Sequence, residues 1–215
     1  MLQKKIVSSI EESIKALDVL KTEAGLLFID QVAHLLARTF QAGGKVLIAG
    51  NGGSLCDASH FSEELTGLFR NYRCALPAIS LAEPGHITCV GNDLGYEWVF
   101  SRGVEAYGKP QDVFIGLTTS GKSINIIRAF ETAKQRQMVT VAFLGKGGGE
   151  LKGVADYEIS IDGFKTSDRI QEAHMTAMHV IIEMMEYLLF PQVQENDCSR
   201  PFSSYYAQQQ PELAY

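Results

Sequence analysis

Five short apolar runs leave this chain few ways to fold. They are KVLIAG (45–50), LPAISLA (76–82), DVFIGLTTS (112–120), VTVAFLG (139–145) and DYEISID (156–162). Each is rich in Val, Ile or Leu, and segments of helical character separate most of them. A strand that is apolar on both faces has to be covered on both faces. The alternation therefore predicts a parallel five-stranded sheet held between two layers of helices, a three-layer α/β/α sandwich.

Two helices precede the first run. Residues 4–20 carry Ile6, Ile10, Ile14 and Leu17 at helical spacing, with charged residues between them. A second helix places Ile29, Val32, Leu36 and Phe40 on one side and ends at AGG (42–44), as helices do at glycine. Because both come before any strand, they are expected outside the sheet or against another subunit. The last long segment, DRIQEAHMTAMHVIIEMMEYLLF (168–190), reads as a helix stopped by Pro191. The expected organisation is a helical segment (1–44), an α/β domain (45–191) and a tail (192–215) rich in Gln, Ser and Tyr.

Bulk properties remove several function classes. A length of 215 residues suits one domain, and a net charge of −6 argues against a nucleic-acid surface. No run of about 18 uncharged apolar residues is present, so no membrane span is expected. The first residues, MLQKKIVSSIEESIKAL, are amphipathic and charged throughout, unlike a signal peptide. Cys56, Cys74, Cys89 and Cys198 show no CxxC spacing and read as reduced thiols. The expected location is the cytoplasm.

Two strands run into loops suited to an anion. GNGGS (50–54) and TTSGKS (118–123) each lead into a helix, whose first N–H groups carry partial positive charge. Thr118, Thr119, Ser120 and Ser123 add hydroxyls. Neither loop matches GxGxxG or GxxxxGK[ST], so a single phosphate monoester fits better than a nucleotide. The plainer alternative is local: Ser and Gly are common helix caps.

His60 and Glu64 stand four apart after the first loop, on one helix face. That spacing suits two ligands of one metal, a ligand beside a general base, or an ordinary exposed ion pair. On the last helix, Gln171 and His179 lie about 80° apart around the axis but about 12 Å apart along it. One ion could join both only near the limit of side-chain reach. His174, about 60° to the other side of Gln171, reads as a structural histidine.

GNGGSLCDASHFSEELTG (50–67), CVGNDLGYEWVFSR (89–102), TTSGKS and DRIQEAHMTAMH (168–179) resemble the phosphoheptose isomerases of the sugar isomerase (SIS) domain group. The resemblance runs in order over roughly residues 1–190. It implies the flavodoxin-like SIS fold with added N-terminal helices. It implies conversion of sedoheptulose 7-phosphate to D-glycero-D-manno-heptose 7-phosphate, the first step toward activated heptose for bacterial surface polysaccharide. It implies zinc, with His60, Glu64, Gln171 and His179 at the ligand positions. Asn51, Gly52, Gly53, Asn92, Asp93, Thr118, Thr119, Ser120 and Ser123 match the sugar phosphate site, together with Glu64 and Gln171. It also implies a homotetramer with active sites at subunit contacts. Two departures stand out: Lys122 where a smaller polar residue is expected, and Leu55 at a position often polar.

The chemistry suits these residues. A ketose–aldose conversion moves a proton between adjacent carbons through an enediol. Glu64 can be the carbon base, and His179 can exchange a proton with a sugar oxygen. A bound metal would polarise the carbonyl. Since one carboxylate cannot be tight ligand and free base at once, Glu64 is expected to swing or the zinc to bind loosely. The rival readings are a non-catalytic SIS tetramer that binds a replication initiator, and a sugar phosphate sensor. The presence of HFSEE together with His179 favours the enzyme.

Overall fold

The computed structural model describes residues 1–191; the expected tail, 192–215, lies outside the described residues. Two helices, α1 (Leu2–Asp18) and α2 (Glu23–Gln41), lead into β1 (Val46–Gly50). Then follow α3 (Gly53–Thr66), β2 (Ala78–Ser80), α4 (Pro84–Asp93), α5 (Val99–Tyr107) and β3 (Val113–Thr118). The chain continues through α6 (Ile124–Gln135), β4 (Val139–Gly145), β5 (Tyr157–Ile161) and α7 (Ser167–Leu189). All five expected strands are present. β2 is the shortest, holding only three residues of its seven-residue run.

The strands pair in the order β2-β1-β3-β4-β5, all parallel. The fully apolar runs explain this arrangement. Every residue of β1 and β3 is buried, which only a sheet covered on both faces allows. Val46, Ile48, Val113, Ile115, Val141 and Phe143 point to one face and pack against α2, α3 and α7. Leu47, Ala49, Phe114, Ala142 and Leu144 point to the other face, under α4, α5 and α6. Aromatic edges lock each layer: Phe28 meets Phe143 at 5.2 Å and Phe114 meets Phe130 at 5.1 Å. Each such burial contributes on the order of 2 kcal/mol.

The two N-terminal helices part company. α2 belongs to the sandwich itself: its Ile29, Val32 and Leu36 share the core with the sheet. Thr22 caps it by accepting from the Gly25 N–H. α1 lies outside, held to α7 through buried Ala16, a Ser13–Glu172 hydrogen bond of 2.6 Å and an Arg169–Ser9 bond of 3.3 Å. Its apolar stripe is left open, with Ile6, Ile10 and Ile14 each about half exposed. The helix does not fold that stripe back onto its own domain.

His174 is structural, as its position on α7 implies. It is fully buried, its Nε2 is hydrogen-bonded to the Leu144 carbonyl at 2.8 Å, and its ring packs edge-on against Phe143. Its Nδ1 is buried without a partner. Burial pushes the imidazole down to about 4, only partly offset by the Leu144 carbonyl. The unfolded chain therefore takes up this proton first. The contribution is complete above the unfolded value near 6.5 and is lost as pH falls toward 4. Urea unfolding at pH 7 and pH 5 should show an extra loss of about 2 kcal/mol in wild type that His174→Phe lacks.

Candidate functional site

The strand order places a reversal between β1 and β3. From β1 the chain crosses one face of the sheet in α3, and from β3 it crosses the other face in α6. Loops that leave adjacent strands in opposite directions open a crevice at their carboxyl ends, where ligands bind in such sheets. The two glycine-rich loops are those loops. Their strands run in register, with Gly50 beside Leu117.

The loops are built for close approach. Gly52 has φ +57, a conformation that costs glycine little, and it starts α3 without any side-chain cap. Gly121 has φ +63, and a Cβ there would lie 1.7 Å from the Gly148 carbonyl oxygen. Ser123 starts α6, yet its hydroxyl makes no capping bond and meets Thr118 Oγ1 instead, at 3.3 Å. Both helix N-termini thus lack the cap that Thr22 gives α2 and Glu83 gives α4. Gly52 and Ser123 do stand at the N-cap positions, as the local-cap reading has it, but neither gives a side-chain capping bond. Thr119 meets Ser167 at 3.0 Å, and Ser120 Oγ accepts from the Lys122 N–H at 3.3 Å. Lys122 is exposed and its ammonium makes no ion pair among the described residues; Leu55 packs beside the α6 face of the core.

A pair of amides ties the loops together. Asn51 Nδ2 donates to Asn125 Oδ1, and Asn125 Nδ2 donates to Asn51 Oδ1, both at 2.9 Å. Tyr96 Oη donates to the same Asn51 oxygen at 2.9 Å. Asn125 and Tyr96 escape a reading of the sequence, because neither lies in a recognisable spacing with Asn51. Asn92 and Asp93 close α4, four and three residues before Tyr96, and bond to each other at 2.7 Å.

Along α3 and α7 the structure gathers a second group. His60 Nε2 and Glu64 Oε1 are 3.1 Å apart, and the rings of His60 and His179 have centroids 5.0 Å apart. One ligand atom from each of His60, Glu64 and His179 falls within 4.8 Å of the others. Two imidazoles and a carboxylate match the donor chemistry of zinc, whose bonds of about 2 Å are within reach after small side-chain rotations. Burial first, then the charge of His60, hold the His179 imidazole below its usual value, which keeps it neutral and able to ligate. Phe69 stacks on the same ring at 5.7 Å.

Gln171 is placed apart from these three. Its Nε2 donates to Ser54 Oγ at 3.1 Å, and its amide lies against Gly53. α3 and α7 run side by side, Gln171 meeting the start of α3 and His179 meeting it about 9 Å further along. The axial separation seen in the sequence is kept, and Gln171 serves the loop end of the helix pair. Asp57 is a further residue that the sequence reading leaves out. Burial raises its carboxyl to about 6 against the pull of His60, and its Oδ2 is buried without a partner.

With this geometry in view, the likeness to known proteins is specific. The SIS domain family matches residues 9–145. The phosphoheptose isomerase of Edwardsiella ictaluri is 50% identical over 187 residues, covering 86% of this chain and 97% of that protein. That of Fusobacterium nucleatum is 60% identical over 163 residues, 76% of this chain and 84% of its own. The chain belongs to the phosphoheptose isomerase family. Solved phosphoheptose isomerases from Neisseria gonorrhoeae and Francisella tularensis superpose with TM-scores of 0.77 and 0.79, each 34% identical. Each superposition covers 86% of this chain, and 99% and 98% of the respective relatives. The chain thus has the SIS fold of an isomerase family; His60, Glu64 and both glycine-rich loops lie within the residues matched to the SIS domain, and His179 lies beyond them. No helix among the described residues is long and apolar enough to cross a membrane.

The amide pair gives a test of the crevice. Asn125 is 1% exposed, so Asn125→Leu strands the Asn51 Nδ2 donor. The expected cost is about 1–3 kcal/mol of stability. Inorganic phosphate should raise the melting temperature of wild type and raise that of the variant less.

Proposed function

We propose that this chain isomerises sedoheptulose 7-phosphate to D-glycero-D-manno-heptose 7-phosphate, the family reaction that feeds activated heptose synthesis for surface polysaccharide. The observation that carries the proposal is the meeting of His60, Glu64 and His179 on the same helix pair whose start forms the GNGGS loop. A phosphorylated sugar needs an anion site at one end and acid/base groups at the other, and α3 supplies both within about 16 Å of its length.

In this reading the terminal phosphate sits in the crevice. The uncapped N–H groups of α3 and α6 hold it, with Asn51, Gly52, Gly53, Thr118, Thr119, Ser120 and Ser123 around it. Gln171, at Ser54, and the Asn92–Asp93 pair hold sugar hydroxyls. Glu64 takes the proton from the carbon next to the carbonyl and returns it to the neighbouring carbon, passing through an enediol. His179, kept neutral by burial, exchanges the proton between the two sugar oxygens. Zinc is the proposed cofactor; when bound it polarises the substrate carbonyl. His60, Glu64 and His179 would hold it, Glu64 swinging off to act as base, and Gln171, the fourth residue of the set that the family resemblance implies, would have to leave Ser54 to join them. A cytoplasmic location accords with the three free cysteines among the described residues.

Turnover of sedoheptulose 7-phosphate is the deciding measurement. Wild type should convert it, and Glu64→Gln should lose roughly 10²–10⁴ in kcat with KM nearly kept, since the isostere removes only basicity. Exhaustive chelation should abolish activity and zinc restore it, with no restoration in His60→Ala. A wild-type protein that binds the sugar phosphate without turning it over would instead favour the sensor reading.

The exposed Ile6–Ile10–Ile14 stripe supports a homotetramer in which α1 meets other copies of the chain. Light scattering at micromolar concentration should give four times the chain mass, and Ile10→Asp should lower it.

A further inference from the structure

The segment between α3 and β2 contains a buried cation that touches the backbone of one donor residue and the helix of another. Arg73 is 3% exposed. Its Nη2 donates to the Glu64 carbonyl at 2.7 Å and its Nη1 to the carbonyls of Leu65 and Cys74, at 2.9 and 3.1 Å. Its Nε donates to the carboxylate of Glu186. The last carbonyls of a helix have no partner within it, and here the guanidinium takes two of them at the end of α3. Glu186 is buried on α7, seven residues after His179, so the two side chains leave the helix on nearly the same side.

These contacts form a bridge that a fold would not need merely to bury its core. A buried ion pair is seldom more stable than an apolar pair of the same volume, so its presence calls for a reason in geometry. The bridge also brings the intervening residues over His179. Phe69 stacks on the imidazole, and Arg70 pairs with Glu183, four residues past His179 on α7. The Arg fork reaches carbonyls and a carboxylate together in one plane, which a lysine ammonium does not.

We propose that Arg73 is a positioning residue: through the Glu64 carbonyl and Glu186 it fixes the α3–α7 spacing at which His60, Glu64 and His179 share one ion. The proposal rests on the reading of those three residues as a metal site. It assigns Arg73 an effect on the donor group and none on the phosphate end, where its contacts do not reach.

The test compares Arg73→Lys with the paired apolar replacement Arg73→Met/Glu186→Leu, which removes the bridge without stranding a buried charge. Zinc affinity of the metal-stripped full chain is measured by competition with a chromogenic chelator, beside circular dichroism and steady-state kinetics. The expected result is a folded double variant whose zinc binding is weaker by roughly tenfold or more, as when groups supporting metal ligands are removed. The kcat should fall in parallel while KM for the sugar phosphate stays near wild type. A folded double variant with wild-type zinc affinity and kcat overturns the proposal. So does failure of both variants to fold, which would assign Arg73 to stability alone. His60→Ala and His179→Ala separate the two layers of the argument. If they leave zinc binding unchanged, the metal reading itself falls; if they abolish it while the double variant does not, only the role of Arg73 falls.

Discussion

The parallel pairing of β1 with β3 is the contact on which the rest of this molecule depends. It sets two glycine-rich loops side by side and sends the helices that follow them to opposite faces of the sheet. Two helix N-termini then converge on one crevice from different sides. Neither N-terminus has a side-chain cap, and the positive ends of the two helix dipoles add there. The Asn51–Asn125 amide pair spans that join and uses each side chain as both donor and acceptor.

A second consequence follows from the layer on the α3 side. α3 and α7 cover the same sheet face and run beside each other, so residues at matching heights meet. At the loop end Gln171 reaches Ser54; two turns further along, His179 reaches His60 and Glu64. The helix pair thus carries a glycine-rich loop at one end and a cluster of three potential ligand side chains on its flank. Rigid elements hold donor groups more closely than loops do, which suits proton transfer and ligation alike.

The two histidines of α7 show how burial sorts chemically equal groups. His174 points into the core, loses its charge to desolvation and spends one nitrogen on a backbone carbonyl. His179 sits at the edge, partly shielded by Phe69 and close to two other donors. Five positions along one helix separate a packing residue from one that meets His60 and Glu64, because helical rotation carries one inward and the other toward α3.

Much of this was legible in residue order. Continuous Val/Ile runs dictated a doubly covered parallel sheet, since no other arrangement hides both faces of such strands. The i, i+4 spacing put His60 and Glu64 on one side of a helix, and the glycines marked where the backbone turns with positive φ, as at Gly52 and Gly121. The apolar stripe of α1 was equally plain, although its exposure was not. Other features are matters of three dimensions. Asn125 and Tyr96 join Asn51 across 74 and 45 residues. Arg73 reaches Glu186 across 113. The unsatisfied carboxylate of Asp57, and the engagement of Gln171 at Ser54 apart from the donor trio, likewise depend on which surfaces the packed helices press together. Local pattern fixes the face of an element on which a residue lies, because helical and strand periods are local. The group it meets across the interface is set by packing, which no spacing within one segment records.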